Sequence, residues 1–225
     1  MDANSRSKLA IHEGFLIAQY DDCHSKGWAI MRYDTEQKQR TREKVLQVAA
    51  KAIRGDGPDR IGVAGVMAEA GLTHGGFYAH FKSKDDLIAA AIGQMFVEAS
   101  AKLDHETNGR EPAAGLAAYV DFYLSKKHRD ARDVGCPMAA LSSDLPRLNE
   151  EARAEFAAGT QRLAQVIQGK LSELGHEHPE AEARSMMSEL VGALSLARVE
   201  TSPTRSNAIL TDSKRLIKQR LALEN

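Results

Sequence analysis

Residues 64–87 read AGVMAEAGLTHGGFYAHFKSKDDL, which predicts two short helices joined by a very tight turn. Gly71 can adopt the left-handed conformation that ends the first helix. Leu72 is then expected to bury in the corner, and Thr73 to cap the second helix. Two helices joined so tightly must cross at a steep angle, which is the helix-turn-helix arrangement. In this arrangement the second helix enters the major groove of DNA with its N-terminal residues first.

Apolar residues on both sides of this stretch recur at three- and four-residue spacing, which is typical of amphipathic helices. Upstream, the pattern begins at Glu36 and ends at Gly55–Pro58. Downstream, helical patterns cover roughly residues 112–129, 137–144, 148–174, 179–199 and 205–223. No segment alternates apolar and polar residues for long enough to indicate a strand. The sequence therefore predicts an all-α fold.

The chain is predicted to contain three parts. Residues 1–34 have no sustained period and are interpreted as an extension, either disordered or an N-terminal arm or short helix. Met31, just before the first patterned segment, could be the true start of the protein. Residues 35–82 are predicted to form the helix-turn-helix domain, and residues 83–225 a larger helical bundle.

The composition indicates a folded protein of a reducing compartment. Of the 225 residues, 43% are apolar and 27% charged, which are ordinary proportions for a folded chain. Two cysteines, Cys23 and Cys136, are too few for a disulfide framework and favour a cytoplasmic location. No apolar run is long enough for a signal sequence or a membrane span, so no membrane partner is expected.

Positive charge is concentrated near the helix-turn-helix, although the net charge of the chain is only −1. Seven Lys and Arg residues stand against three Asp and Glu residues between positions 32 and 54, and Lys82 and Lys84 follow the second helix. Binding to DNA phosphates needs such a local patch whatever the total charge. A charge run alone is more often a solvated helix face, so the prediction of DNA binding depends on the neighbouring motif.

The motif resembles the DNA-binding signature of the TetR/AcrR family of bacterial regulators. The matching positions are Ala70, Gly71, Leu72, Thr73, Gly75, Phe77, Tyr78, His80, Phe81, Ser83, Lys84 and Leu87. Close resemblance covers about residues 38–90, and the remainder agrees only in length, helix count and divergent character. The resemblance implies a homodimer that binds a near-palindromic operator in double-stranded DNA, usually represses transcription, and releases the DNA when a small-molecule inducer binds.

Two residues depart from the family pattern. Met67 replaces a small residue in the first helix of the motif, so the two helices are expected to pack slightly further apart. Gly76 occupies a position that often carries a base-reading side chain, and Gly75 and Gly76 together cost the helix roughly 2 kcal/mol relative to alanine. We therefore expect the element to be held by packing, and base reading to depend chiefly on Thr73 and His74, with close backbone approach at the glycines.

The other predicted DNA contacts go to phosphates. Tyr78 and His80 carry hydrogen-bond donors on short rigid stems. Lys84 lies in the first turn of the next helix, where free backbone N–H groups also favour an anion, and Arg42 completes the predicted set. The alternative for Tyr78 and His80 is a half-buried aromatic pair that fills the corner of the domain.

The resemblance also implies an inducer pocket and a dimer interface in the C-terminal bundle. The candidate pocket residues are Tyr119, Phe122, Tyr123, Cys136, Met138, Phe156 and Met187. Such residues at helical spacing are more often plain core, although bundle interiors are also where ligand pockets form. The candidate interface residues on the last two helices are Leu190, Val191, Leu194, Ala197, Ile209, Leu216 and Ile217. The alternative for these is the core of a monomeric bundle.

Cys136 supports two interpretations. It precedes Pro137 at the start of a helical segment, where the helix dipole would lower its pKa and favour a reactive thiolate. Nearby Arg129, Arg132 and Arg147 would add to this effect, and oxidants or electrophiles could then release the protein from DNA. In the alternative, Cys136 is a small buried residue that closes a helix junction.

No pattern of catalytic residues is recognised. A nucleophile–base pairing, a Gly-rich phosphate loop and a Cys/His metal spacing are all missing, and His176–Glu177–His178 in a loop is a weak metal signal. The sequence therefore predicts no enzyme activity, no cofactor and no metal. Two competing hypotheses remain: a helical interaction protein that has lost DNA binding, and a helical enzyme with polar groups in the C-terminal cavity.

Overall fold

A computed structural model of the protein describes residues 35–223. The predicted extension over residues 1–34, with Met31, lies outside these residues. The chain divides into two units, residues 1–44 and residues 45–225. Within the described part all regular structure is helical, so the all-α prediction is confirmed. The predicted domain boundary between residues 82 and 83 stays a prediction.

Residues 35–223 form nine α-helices and three short 3₁₀-helices. The α-helices are α1 (35–56), α2 (Val63–Glu69), α3 (Lys84–Thr107), α4 (Pro112–Tyr123), α5 (Lys126–Asp130), α6 (Pro137–Leu141), α7 (Glu150–Glu173), α8 (Pro179–Val199) and α9 (Pro203–Arg220). The 3₁₀-helices are His74–Ala79, Arg132–Val134 and Leu145–Arg147. No helix in this part of the chain is both long and apolar enough to cross a membrane.

The second half of α1 buries the apolar stripe that its spacing predicts. The buried residues are Val45, Leu46, Ala49, Ala50 and Ile53. The helix ends as predicted in the Gly55–Pro58 segment, because Gly57 adopts a φ of +91° and its N–H donates to the carbonyl of Ile53 at 3.0 Å. Glycine tolerates this left-handed backbone without a steric penalty.

The start of α3 is fixed by reciprocal hydrogen bonds around Ser83 and Asp86. The Ser83 hydroxyl accepts from the Asp86 N–H at 3.1 Å. The Asp86 carboxylate accepts at 2.8 Å from the N–H of Lys82 rather than from that of Ser83. Two N–H groups that would lack partners at a helix start are thus satisfied.

The predicted helix over residues 112–129 is interrupted, so this part of the prediction was wrong. α4 ends at Tyr123, and the Ser125 hydroxyl accepts from the N–H of His128 at 3.1 Å to begin α5. A serine that captures a backbone N–H in this way competes with the helical ladder. The break also turns His128 into the core, where it is buried.

The core of the bundle lies between α3, α7 and α8, with α4 and α9 packed around them. Large side chains of α3 supply much of it, namely Leu87, Ile92, Met95, Phe96 and Leu103. The facing residues on α7 are Leu163, Ile167 and Leu171, and on α8 they are Met186, Leu190 and Leu194. Burial of these apolar surfaces is the main source of stability for the bundle.

Candidate functional site

The turn that ends α2 has the geometry predicted for Gly71. Its φ is +73°, its N–H donates to the carbonyl of Ala68 at 2.9 Å, and the N–H of Leu72 donates to the carbonyl of Met67 at 2.9 Å. These two bonds form a Schellman motif, which stops the helix and reverses the chain within two residues. The abrupt turn places the next element directly beside α2.

The next element is a six-residue 3₁₀-helix, His74–Ala79, where the sequence predicted an α-helix. Gly75 and Gly76 explain the difference, because glycine loses the most backbone entropy in a regular helix. The predicted cap is also wrong, since the Thr73 side chain makes no capping hydrogen bond. Instead the N–H of Gly76 donates to the backbone carbonyl of Thr73 at 3.1 Å.

Two aromatic rings hold this 3₁₀-helix in place. Phe77 and Phe81 are both buried, and their rings stack with centroids 5.6 Å apart. Their burial is consistent with the prediction that packing supports the 3₁₀-helix. Met67 on α2 is also buried, and its Cε lies 3.7 Å from the position that a Cβ on Gly76 would take. The two departures from the family pattern thus face each other across the turn.

The predicted base-reading surface is open. Thr73, His74 and Gly75 are exposed, and Gly76 is half-buried. Tyr78 is 71% exposed, with its ring edge-on to Phe77 at 5.2 Å.

The predicted phosphate-binding side chains have different environments. Because Tyr78 is so exposed, it does not fill the corner of the domain, whereas His80 is half-buried with its ring 6.4 Å from that of Phe81. Lys84 is half-buried, and its Nζ donates to the carbonyl of Asp59 at 3.2 Å. Arg42 lies in the first unit and is half-buried on α1.

Two cations of the predicted basic patch pair with acidic residues of the protein, and one of them is buried. The Arg54 side chain is only 3% exposed, and its guanidinium forms an ion pair with Glu98 on α3. Lys51 pairs with Asp133 at 3.6 Å, although both side chains remain largely exposed. The sequence placed Arg54 and Lys51 in the predicted DNA-facing patch because they lie on the same helix as the other cations of that patch. Their partners lie 44 or more positions along the chain, which no local pattern reveals.

The predicted inducer pocket is divided between two separate places. Tyr119, Phe122, Tyr123 and Cys136 line a cavity of about 210 Å³, together with Arg54, Glu98, Lys102 and His128. Met138, Phe156 and Met187 instead line a wide groove of about 960 Å³ between α6, α7 and α8. The sequence grouped them because all are large apolar residues of one bundle. Arg54 and His128 were missed as cavity residues.

Cys136 is buried, and its environment favours the packing interpretation over the reactive thiolate. Burial raises the pKa of the Cys136 thiol above its ordinary value, and the nearby hydrogen-bonding groups reduce this effect without reversing it. α6, which begins after Cys136, has only five residues, so its dipole is short. The alternative, a buried residue at a helix junction, agrees with the structure.

His128 links the wall of the smaller cavity to the backbone on both sides. Its Nδ1 lies 2.7 Å from the carbonyl of Tyr123, which can only accept, so Nδ1 carries the proton. Its Nε2 accepts from the N–H of Cys136 at 3.0 Å. Burial lowers the pKa of His128, and the positive charge of Arg198 adds to this effect. His128 is therefore a neutral imidazole that joins α4 to the start of α6.

Four of the residues predicted for the dimer interface belong to the core of their own chain. Leu190, Leu194, Ala197 and Ile217 are at most 2% exposed within the single chain. Val191 and Ile209 are half-buried, and Leu216 is 53% exposed. The reason is that α8 has apolar residues on two faces, and the face with the larger stripe packs inward.

The other face of α8 and α9 exposes large apolar side chains. On α8, Leu196 is 59% exposed and Val199 is 75% exposed, and on α9 Leu216 is 53% exposed. Leu196 and Leu216 line one shallow groove with Gly192 and Ile209. Exposed apolar groups grouped in this way are typical of protein–protein contact surfaces. We call Leu196, Val199 and Leu216 the α8–α9 face.

The weak metal signal at residues 176–178 has a different explanation. Nδ1 of His176 contacts the carboxylate of Glu182 in the first turn of α8. Across residues 35–223 no three His, Cys, Asp or Glu side chains are grouped as metal ligands would be.

Two family models match this chain. The model described as "Bacterial regulatory proteins, tetR family" matches residues 45–91, which contain the helix-turn-helix. The model described as "Transcriptional regulator LmrA/YxaF-like, C-terminal domain" matches residues 112–209, which form most of the bundle.

Curated relatives include two uncharacterized HTH-type transcriptional regulators of Bacillus subtilis. YvdT is 29% identical over 91 residues, which are 39% of this chain and 47% of YvdT. YfiR is 25% identical over 118 residues, which are 52% of this chain and 57% of YfiR. The chain thus spans about half the length of the curated relatives it matches.

Solved structures share the fold over most of their length. The reduced form of Escherichia coli NemR is 20% identical with a TM-score of 0.71, covering 80% of this chain and 96% of NemR. A TetR-family regulator from Agrobacterium tumefaciens is 25% identical with a TM-score of 0.68, covering 81% and 98% of the two chains. The likeness to NemR extends to the fold alone.

Proposed function

Because this chain belongs to the TetR family of bacterial transcriptional regulators, we propose that it is a dimeric repressor that leaves a palindromic operator when a small molecule binds to its C-terminal bundle. The observation that carries the proposal is the exposed surface of the 3₁₀-helix. Thr73, His74 and Tyr78 face solvent, while Phe77 and Phe81 fix the backbone beneath them. Side chains that are exposed on a rigid support are suited to reading DNA.

The chemistry of these side chains separates base reading from phosphate binding. His74, at the start of the element, can donate to or accept from a base edge in the major groove. The Tyr78 hydroxyl and the Lys84 ammonium are donors suited to phosphate oxygens, which position a protein without reading sequence. With glycine at 75 and 76, few side chains remain to specify each half-site. This binding to chromosomal DNA takes place in the cytoplasm, which is the location that the cysteine content favours.

The α8–α9 face supports the dimer. Leu196, Val199 and Leu216 are apolar and exposed in one chain, and a second copy that covers them would remove this surface from water. A two-fold dimer presents two recognition elements, the 3₁₀-helix His74–Ala79 of each chain, in opposite directions, so its preferred site is palindromic. We therefore assign dimerisation to the α8–α9 face, in place of the buried stripe with Leu194.

The function is tested by selecting bound sequences from random double-stranded DNA with the full chain. We expect enrichment of a palindrome whose half-site centres are about one helical turn, or a multiple of it, apart. His74→Ala should relax the preference at one base per half-site, a loss of about 1–3 kcal/mol in discrimination. Recovery of unenriched DNA would favour a helical interaction protein without DNA binding, and enrichment of single half-sites would contradict the dimer.

Repression itself is tested by transcription in vitro from a promoter that contains the selected palindrome. Repressor action predicts fewer transcripts as the protein is added, and activation predicts more. The control is Tyr78→Ala combined with Lys84→Met, which should weaken DNA binding without changing the fold, because Tyr78 is exposed and Lys84 is not part of the buried core.

A further inference from the structure

We propose that the 210 Å³ cavity binds a small aromatic carboxylate, and that Arg54 is the residue that binds its carboxylate group. This inference rests on the proposed function, because it names the chemical class of the inducer. The cavity lies between α1, α3, α4 and residues 134–136, and every wall comes from the second unit of the chain.

The size of the cavity indicates a ligand with a single ring. An apolar cavity of about 150 Å³ in an engineered protein holds benzene. A volume of about 210 Å³ therefore accommodates one ring with a short substituent. Drug-sized ligands usually occupy cavities of roughly 300–1,000 Å³, so this smaller space favours a single-ring ligand.

The walls of the cavity are aromatic. The rings of Tyr119 and Tyr123 lie edge to face with centroids 5.8 Å apart, and those of Phe122 and His128 stack at 5.3 Å. Aromatic faces and edges pack favourably against a flat ring. This lining favours a planar ligand over a branched aliphatic one of equal volume.

Two buried polar groups of the lining are incompletely satisfied. The Arg54 guanidinium uses one terminal nitrogen for Glu98, but among residues 35–223 its Nε has no hydrogen-bond partner. The Tyr123 hydroxyl is likewise buried, and within this part of the chain it interacts only with the Cys136 thiol, which is a weak hydrogen-bond partner. Buried donors are nearly always satisfied in folded proteins. A ligand carboxylate would supply an acceptor for the Arg54 Nε once a small side-chain movement uncovers this atom, which has almost no accessible surface in the structure.

The charge of the lining favours an anion. Arg54 and Lys102 are cations, with the Lys102 ammonium 5.7 Å from the centroid of the Phe122 ring, and Glu98 is the one anion among the lining residues. Burial raises the pKa of the Tyr123 hydroxyl and of the Cys136 thiol, so both are neutral at physiological pH. One positive charge therefore remains for a monoanionic ligand.

Binding at Arg54 would also change a contact between two helices. The Arg54–Glu98 ion pair joins α1, which precedes the helix-turn-helix, to α3, which follows it. A ligand carboxylate competes with Glu98 for the guanidinium. Glu98 keeps a second partner, because the amide of Gln94 donates to it at 3.3 Å. Ligand binding thus loosens the attachment of α1 to α3.

The test measures binding of benzoate and salicylate to the full chain by calorimetry, with benzamide and benzyl alcohol as uncharged probes. We expect both acids to bind and both neutral compounds to bind at least about tenfold more weakly, the effect of losing one charge-assisted hydrogen bond. Arg54→Met should weaken benzoate binding by a similar factor. Glu98→Gln should strengthen it, because this change removes the competing carboxylate, and a gain of binding cannot result from misfolding.

The matched control is Arg184→Met, which removes an exposed arginine from the wide groove between α6, α7 and α8. Benzoate binding unchanged in Arg54→Met but lost in Arg184→Met would move the site to that groove and overturn the proposal. Equal binding of benzamide and benzoate, or no binding at millimolar concentration, would also overturn it. These outcomes are independent of operator binding, measured in the same samples. If benzoate binds but does not release the operator, the site stands and its role as inducer site fails.

Discussion

The ring of Phe96 on α3 lies against the backbone of Gly159 on α7, in the space that a side chain on residue 159 would fill. A Cβ added there would overlap Cγ, Cδ1 and Cδ2 of the ring. Phe96 is fully buried, and its ring also meets that of Phe156 edge to face at 5.2 Å. The close approach of α3 and α7 at the centre of the bundle therefore depends on the absence of a side chain at residue 159.

Gly159→Ala should destabilise the protein even though alanine is the better helix former. The gain in helix propensity is about 1 kcal/mol, but overpacking of a tight core typically costs about 1–3 kcal/mol and here requires a whole ring to move. Gly169→Ala on the same helix is the matched control, because nothing lies within 4 Å of its added Cβ. We expect urea unfolding to show a lower midpoint for Gly159→Ala and a higher one for Gly169→Ala. Equal gains in both variants would contradict the packing.

This contact illustrates what the sequence alone cannot predict. A glycine within a helical pattern counts only as a local weakness, and nothing near Gly159 indicates that a ring from α3 will cover it. The turn at Gly71 was predictable because all its determinants lie within six residues. The α8–α9 face was not, because α8 carries apolar residues on two faces and only the packed bundle determines which face is buried. Arg54 was missed for the same reason, since its partner Glu98 lies far along the chain.

Lys84→Met should weaken operator binding by a similar factor for all DNA sequences. Lys84 is predicted to contact a phosphate, and its Nζ is now 3.2 Å from the carbonyl of Asp59, a bond that it can keep or exchange for a phosphate oxygen. Removing one phosphate contact should lower the slope of log affinity against log salt by about one. Lys127→Met on α5 is the control and should leave the slope unchanged. A change of base preference in Lys84→Met would mean that the residue reads sequence.

Leu196→Glu combined with Leu216→Glu should convert the proposed dimer into a folded monomer. Both side chains are more than half exposed in the single chain, so charges there do not disturb its core, whereas burying them against a partner is costly. Sedimentation velocity measures the association state, and Val97→Glu, at a 61% exposed position on α3, is the control. A double variant that stays dimeric would place the interface elsewhere. Leu194→Arg, by contrast, should unfold the chain because Leu194 is fully buried.

The stability of the protein should fall in mildly acidic solution because of His128. Its pKa is lowered in the folded state, so below the ordinary value of 6.5 the unfolded chain binds more protons than the folded one. The stability that neutral His128 contributes is complete above pH 6.5 and decreases as the pH falls below it, by at most about 1.4 kcal/mol per pH unit. Urea unfolding at pH 7.5 and 5.5 should show a larger loss for the natural protein than for His128→Gln. Parallel losses would assign the effect to other groups.

Native Cys136 should resist alkylation. It is 7% exposed and burial raises the pKa of its thiol, so little thiolate is present at neutral pH. We expect peptide mapping after iodoacetamide treatment to find Cys136 unmodified in buffer and modified in urea, with Cys136→Ser to assign the peptide. Stoichiometric modification in buffer, accompanied by release of the operator, would restore the sensor interpretation.

The glycines of the recognition element also bear on how its DNA specificity can evolve. Nothing lies within 4 Å of a Cβ added to Gly75, and a Cβ on Gly76 would meet only Met67 and Thr73 at ordinary contact distances. Neither glycine has the positive φ that would exclude other residues. A single nucleotide change in a glycine codon can introduce Arg or Ser, both of which can contact bases. A single mutation at Gly75 or Gly76 can thus add a side chain that contacts a base. A duplicated copy of the gene could diverge toward a new operator in this way without first losing its fold.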